Sequence, residues 1–428
     1  WEEGELPASW VYDFNRHLDG ITTMSKFVSK VLVDNGVSVP QLPIGLGVDH
    51  WERIVPNNDF VLPEETKGFI FLHVSSCFPR KGVDVLLEAW GRAFEDKDEV
   101  SLLIKTFPNP HNEVHFLLSK AKQRFANLAS VCVIEKDFSD GEMKALMEKC
   151  NAFVGPSRGE GFGLPLAEAM LSGLPVITTG YGGQMDFCDE STSWLVDFSF
   201  SRAKTHFKLT DSVWAEPDCD GLKNQLLAVS RATREERAMR ARRGRQRLLN
   251  SFSWGGIARR VTNAAMAWKK VRVSPSLPRV AWISSWNTRC GIAGYSSHLL
   301  EMIGLEFSIF ASRLNTEEEL YSLISPEDGP EVHRCWTSGR NDNLSELRQG
   351  LSHYAPDVVV IQFNFGFYDV SAISEFIRWL TQKHISVVVM LHSTSDSSGL
   401  SDTSLKMLGD AFSVCDRLLV HSVDDLNR

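Results

Sequence analysis

Short apolar runs alternate with longer stretches of helical periodicity along most of this chain. Phe69–Val74 reads Phe-Ile-Phe-Leu-His-Val, an apolar run too short for a buried helix, and predicts a buried strand. Beyond Lys81-Gly82 the spacing predicts a helix over Val83–Phe94. Strands are expected at Ser101–Lys105, Val131–Ile134, Ala152–Val154 and Pro175–Thr178. Helices are expected between them at Glu113–Ala126, Asp140–Cys150 and Leu164–Ser172. Strand and helix in strict alternation predict an α/β fold, a parallel sheet with helices on both faces. The pattern restarts at Arg279–Ser284, with later strands expected at Asp357–Gln362, Ser386–Leu391 and Arg417–His421.

Between the two α/β stretches the pattern changes. Residues 231–249 carry arginines at 231, 234, 237, 240, 242, 243, 245 and 247, with few apolar positions among them. A solvated helix face is the plain reading. A basic surface touching anionic lipid, a peripheral membrane contact, is the sharper one. Val273-Ser-Pro-Ser-Leu-Pro278 reads as a linker. A short repeat spans the two stretches. Asp19-Gly-Ile-Thr-Thr-Met-Ser25 is matched by Asp416-Arg-Leu-Leu-Val-His-Ser422: an acid, a short strand, then a Ser six positions on, before a helix-like segment. This points to the same part of two copies of one domain, and disfavours a circular permutation, which would divide that segment rather than duplicate it.

The 428 residues exceed one ordinary domain. Hydrophobic residues at 43% and charged residues at 23% fit a globular chain and exclude a disordered or fibrous one. No apolar run approaches the ~20 residues of a membrane span. A net charge of −9 argues against nucleic-acid binding. The cysteines at 77, 132, 150, 188, 219, 290, 335 and 415 form no Cys-x-x-Cys pair and read as reduced core thiols of a cytoplasmic protein. The first residues, Trp1-Glu2-Glu3-Gly4, hold neither an initiator Met nor a signal pattern, so the chain is expected to come from the middle of a longer one.

The chemistry concentrates in Pro156-Ser-Arg-Gly-Glu-Gly-Phe-Gly-Leu-Pro-Leu-Ala-Glu-Ala-Met170, which follows a strand and opens a helix. Gly159, Gly161 and Gly163 allow a tight turn and close approach to a ligand. Pro165 suits the first helical turn. The free N–H groups and positive dipole end of that helix suit a diphosphate. Glu160 lies on the loop and can face the sugar end of a ligand. Glu168, eight residues on, lies one turn into the helix and can reach a ribose.

The full string closely resembles the Glu-x7-Glu signature of retaining family-4 glycosyltransferases of the GT-B fold, including the downstream Ser172-Gly-Leu-Pro-Val-Ile177. Arg80-Lys81-Gly82 resembles the segment where that family places a Lys on the donor diphosphate. The family often has an Arg five residues before this Lys. Here that position is Ser76, with Arg80 the available substitute. Gly180–Asp186 resembles the loop closing beside the donor sugar. Trp214-Ala-Glu-Pro-Asp218 and Ser253-Trp254 resemble a bacterial polysaccharide subgroup. The resemblance thus implies Glu160 and Lys81 as catalytic residues. Arg80, Gly161, Phe162, Gly163, Leu164, Glu168 and Gly183 then bind the donor. In the second stretch, Cys290-Gly-Ile-Ala-Gly-Tyr295 resembles the family's N-domain glycine loop, and Leu391-His-Ser393 the position of its donor-side His. That makes Gly291, Ile292, Ala293 and His392 candidates.

On this resemblance, residues 1–54 close a first N-terminal domain and 55–250 form the donor-binding domain. Residues 251–278 form a crossover helix and linker, and 279–428 begin a second N-terminal domain, incomplete and standing apart from the first site. The implied reaction moves a sugar from a nucleoside diphosphate sugar to a glycan or lipid-linked acceptor hydroxyl, with retention at the anomeric carbon. The helix N-terminus and Lys81 take up the growing negative charge. No metal or other cofactor is expected, because protein cations replace it. The place of action is cytoplasmic, with a peripheral position at the inner face of the membrane. The rival of another class is a non-catalytic nucleotide-sugar-binding or scaffold module, which Ser76 favours.

Overall fold

The computed structural model describes residues 1–204, 209–270, 277–303, 305–314, 322–339, 341–395 and 405–428. In it the alternating pattern builds two six-stranded parallel sheets, one in each of two units, Trp1–Arg272 and Val273–Arg428. The linker expected at 273–278 falls mostly outside the described residues.

The first unit opens with α1 (Ala8–His17), β1 (Ile21–Thr23), α2 (Lys26–Asp34) and β2 (Gln41–Pro43), β1 and β2 pairing in parallel. Its main sheet holds β3 (Phe69–Val74), β4 (Val100–Thr106), β5 (Ser130–Glu135), β6 (Ala152–Gly155), β7 (Val176–Thr179) and β8 (Trp194–Val196), in the order β5-β4-β3-β6-β7-β8. Helices α3 (Val83–Ala93), α4 (Val114–Arg124), α5 (Asp140–Lys149) and α6 (Leu164–Leu171) connect them. Because side chains alternate along a strand, Phe71, Leu102, Ile104 and Val154 pack on α3 and α4 on one face. Ile70, Leu72, Leu103 and Phe153 pack on α5 and α6 on the other.

An antiparallel hairpin follows, β9 (Phe198–Arg202) and β10 (Val213–Pro217), then α7 (Cys219–Arg231), α8 (Arg234–Ser251) and α9 (Trp254–Lys270). This hairpin was not among the expected elements, although Phe198-Ser-Phe-Ser201 alternates with period two. Its Phe198 and Phe200 pack against Tyr181 and one another. The arginine-rich helix α8 is not simply a solvated face. Arg237 lies over Phe69 and Arg240 over Trp194, while Arg245 and Arg247 pair with Glu52 and Asp189. Arg231, Arg234, Arg242 and Arg243 stay exposed. Helix α9 returns to the start of the unit, where Arg260 bonds the Ile44 carbonyl at 2.7 Å. Among the described residues no helix is long and apolar enough to cross a membrane.

The second unit repeats the architecture. Its strands are β11 (Val280–Ser284), β12 (Phe307–Ser312), β13 (Val332–Trp336), β14 (Val358–Phe363), β15 (Ser386–Leu391) and β16 (Arg417–Leu419), in the order β13-β12-β11-β14-β15-β16. Helix α10 (Gly291–Ile303) packs Leu300 on one face, and α11 (Ser345–Tyr354) and α12 (Val370–Gln382) cover the other. Short helices α13 (Gly409–Phe412) and α14 (Val423–Leu426) close the chain. The two Asp-to-Ser segments have one local structure. Each is a short strand followed by a Ser whose hydroxyl caps the next helix, Ser25 accepting from Val28 N–H and Ser422 from Asp425 N–H. Both sheets run 3-2-1-4-5-6 in chain order, the doubly wound pattern in which ligands bind beyond the strand C-termini where the order reverses.

Candidate functional site

In the first unit the order reverses between β3 and β6, so the segments leaving these two strands diverge and open a crevice. Past β3 the chain runs through Ser75–Phe78 into a tight turn, Pro79–Lys81, and enters α3 through Gly82. Past β6 it forms the loop Pro156–Gly163 and enters α6, with Pro165 in the first turn and Gly163 left-handed at φ 88°. The two segments are bonded side by side. Arg158 N–H donates to the Arg80 carbonyl at 2.7 Å, and the Arg80 guanidinium donates to the Gly159 carbonyl at 2.7 Å.

These bonds bring Lys81 and Glu160 together, 79 residues apart in sequence. Lys81 Nζ donates to Glu160 Oε1 at 2.6 Å, and Ser157 Oγ donates to the same oxygen at 2.6 Å. Glu160 is buried. Burial alone would raise its carboxyl pKa, but Lys81 and then Arg80 outweigh it and hold the group below the ordinary carboxylate range. Arg80 also meets Glu2 at 3.3 Å, so the chain's first residues lie across the glycine loop. His73, wholly buried on β3, donates from Nδ1 to the Val154 carbonyl at 2.8 Å and accepts at Nε2 from the Ser75 hydroxyl at 2.7 Å. Desolvation pushes its pKa down to about 4, so it is a neutral brace under the crevice.

Other residues implied by the sequence take different places. Gly161 lies beneath the Trp1 carbonyl and Met24 sulfur. Phe162 points into the core, its ring 5.2 Å from Phe187 and 5.4 Å from Phe252, so only its backbone faces the loop. Leu164 is exposed at the mouth. Gly183 braces the loop, its N–H donating to the Glu160 carbonyl at 2.6 Å. Glu168 is not joined to the Lys81–Glu160 pair. Its carboxyl has no hydrogen bond among the described residues, and burial, then the charge of Asp140, raises its pKa to about 7. Ser76, where the resemblance leads one to look for an Arg, contributes a backbone carbonyl to Asn109, while Arg80 reaches the loop itself.

The Glu168 environment makes a stability prediction. A carboxyl whose pKa rises on folding stabilises the fold fully below its unfolded value near 4.5, and that contribution is lost as pH climbs to about 7. Glu168→Gln cannot ionise. It should therefore gain stability relative to the unmodified protein between pH 5 and pH 8, by on the order of 2 kcal/mol. Urea unfolding of both proteins at the two pH values checks this; parallel pH dependence would refute it.

In the second unit α10 begins at Gly291-Ile292-Ala293, past β11 at the corresponding reversal of strand order. A side chain at Gly291 or Gly294 would meet nothing within 4 Å, so the face of that turn is open. His392, past β15, donates from Nε2 to Gln362 Oε1 at 2.6 Å, and His421 lies 3.3 Å from its Nδ1. Tyr295 meets both rings edge-on at 5.1 and 5.3 Å. Burial, then the His421 charge, lowers the His392 pKa to about 4. Sequence reasoning had placed His392 here but not Gln362 or His421, which come from separate strand ends.

The family model described as Glycosyl transferases group 1 matches residues 55–206. An MMP alpha-(1->4)-mannosyltransferase of Mycolicibacterium hassiacum is 28% identical over 242 residues, covering 56% of this chain and 51% of that protein. An uncharacterized glycosyltransferase of Methanocaldococcus jannaschii is 33% identical over 165 residues, 39% of this chain and 41% of that one. The chain thus spans about half or less of the length of these curated relatives. Among solved structures, the sucrose-phosphate synthase of Thermosynechococcus elongatus aligns over 61% of each chain at 21% identity and a TM-score of 0.49. Anabaena HepE in complex with UDP-glucose aligns over 61% of this chain and 68% of that one, at 16% identity and a TM-score of 0.48. The matched segment contains both arms of the crevice, Lys81 and Glu160. Residues 55–206, about a third of the chain, are thus similar to the glycosyl transferases group 1 family.

Proposed function

We propose that this chain belongs to a retaining GT-B glycosyltransferase that moves a sugar from a nucleoside diphosphate sugar to a hydroxyl of a glycan or lipid-linked acceptor. The observation that carries this reading is the part-buried Lys81–Glu160 pair at 2.6 Å, on a glycine loop that opens a helix. A donor diphosphate accepts from the N–H groups of that helix turn and from Lys81, which releases Glu160 to hydrogen-bond a sugar hydroxyl. As the glycosidic bond breaks, negative charge grows on the diphosphate, where Lys81, Arg80 and the helix dipole meet it. Glu168, its pKa raised to about 7 by burial, hydrogen-bonds a ribose hydroxyl in this reading. These cations do the work a metal does elsewhere, so transfer is independent of added metal.

In this reading residues 1–54 close a first N-terminal domain, 55–250 bind the donor, and 279–428 begin a second N-terminal domain in a tandem arrangement. The shared Asp-to-Ser segments, each a strand and a Ser-capped helix, support the tandem. The exposed arginines of α8 are the surface available to anionic lipid at the inner face of a membrane.

The test is calorimetry and turnover with UDP-, GDP- and ADP-hexoses, with and without EDTA. At least one donor should bind and be hydrolysed slowly or transferred, unchanged by EDTA. Lys81→Ala should weaken binding and cut turnover about 1,000-fold. Failure to bind any donor would sink the reading. Tight binding without turnover would favour the non-catalytic module, and loss of turnover in EDTA would refute metal independence.

A further inference from the structure

Two residues before Glu160, on the same loop, stands a buried side chain with no part in the reaction above. Arg158 is only 5% exposed and is held by two carboxylates. Its Nη1 and Nη2 donate to Asp84 Oδ1 and Oδ2 at 2.9 and 2.8 Å, and its Nε and Nη2 to Glu216 Oε2 and Oε1, both at 2.6 Å. A further N–H reaches the Pro79 carbonyl, and the guanidinium lies over the Trp214 ring at 5.1 Å. The backbone of Arg158 is tied on both sides, its N–H to the Arg80 carbonyl and its carbonyl to Ala215 N–H at 2.9 Å.

Its partners fall on three segments: the turn that carries Arg80 and Lys81, the start of α3, and the β9–β10 hairpin. The first also carries the cation bonded to Glu160. Trp214 and Glu216, which stood out in the sequence without a role, are the hairpin's share of this clamp. Joining three segments does not require buried charge. Apolar contacts of similar volume do it as well or better, because burying an ion pair costs desolvation. What a planar fork held by two bidentate carboxylates adds is a defined orientation.

We propose that Arg158, clamped by Asp84 and Glu216, is a positioning residue that sets the Lys81 turn and the Glu160 loop in register for sugar transfer. The proposal rests on the glycosyltransferase reading of this site. It makes the hairpin part of the catalytic geometry, since Glu216 touches neither Lys81 nor Glu160 but orients the loop between them. A displacement of about 1 Å in such a site costs about 100-fold in rate.

The test uses the donor that the unmodified protein turns over best, with UDP, GDP and ADP as binding probes. Arg158→Lys keeps the charge but not the fork, and should lower kcat about 100-fold. Glu216→Gln and Asp84→Asn alter half-exposed partners and keep the fold; each should lower kcat by at least 10-fold, on the same physical ground. Nucleoside diphosphate affinity should fall far less than kcat in all three, by no more than about 10-fold, because the N–H groups at the start of α6 still meet the diphosphate even where Lys81 shifts. Arg158→Lys combined with Glu216→Gln should be no worse than Arg158→Lys alone, as expected of groups acting as one unit. Full kcat in Glu216→Gln and Arg158→Lys would overturn the proposal. So would a loss of rate that only follows a loss of folded protein in thermal melts. If the unmodified protein turns over no donor, the reading of the site fails and the positioning role falls with it.

Discussion

Replacing Glu160 by alanine is expected to cut sugar transfer about 1,000-fold, while Glu168→Ala lowers it about 10-fold, mainly through KM. The difference lies in where the two carboxyls sit. Glu160 shares one oxygen between Lys81 and Ser157 and lies on the loop between two strand ends. Its removal takes away the group aimed at the sugar and leaves the partly buried Lys81 ammonium without its partner, an unfavourable state. Glu168 is further along α6, has no hydrogen bond to that pair, and burial raises its pKa to about 7. Its loss removes a ribose contact made equally in ground and transition states, which weakens binding more than turnover. Lys81→Ala should reproduce the Glu160→Ala defect, and the double variant should be scarcely worse than either alone. Steady-state kinetics on the single and double variants check this, and equal losses at 160 and 168 would refute the assigned roles.

Gly82→Ala is expected to destabilise the first unit by about 3 kcal/mol or more, lowering its melting temperature by roughly 6–12 °C, and to reduce transfer as well. Gly82 holds φ at 70°, which costs any L residue about 1–2 kcal/mol. A methyl group there would also sit 2.1 Å from the Pro156 carbonyl oxygen, on the opposite arm of the crevice. Neither arm can yield freely, because Arg158, Arg80 and Lys81 bond the two together. Gly173 supplies the control. It holds φ at 82° just past α6, but a methyl group there meets nothing within 4 Å. Gly173→Ala should therefore cost only the backbone term, about 1 kcal/mol, and leave transfer unchanged. Thermal melts of the two variants separate strain from collision, and equal destabilisation would show that the arms move apart without cost.

The alternation of short apolar runs with helical periods determined by itself that this is an α/β protein with parallel sheets, because only buried parallel strands read as near-continuous apolar runs. Strand β3 was legible to the residue, and β15 likewise, since both are apolar and flanked by turns. The glycine loop and Lys81 were legible because their chemistry is local: a turn, a helix start and a charge. Element ends were less so. The strand expected at Arg417–His421 stops at Leu419, since only Arg417–Leu419 finds a partner on β15. The β9–β10 hairpin was legible only in half: Phe198-Ser-Phe-Ser201 alternates along β9, but β10 has no such pattern, and its place depends on the hold of Glu216 on Arg158. Tertiary structure alone decided that Lys81 meets Glu160, that burial raises the Glu168 pKa, that Phe162 serves the core and that four arginines of α8 turn to protein partners. Each depends on strand order, and strand order is set by packing between segments many residues apart, which no local pattern of hydrophobic and polar positions encodes.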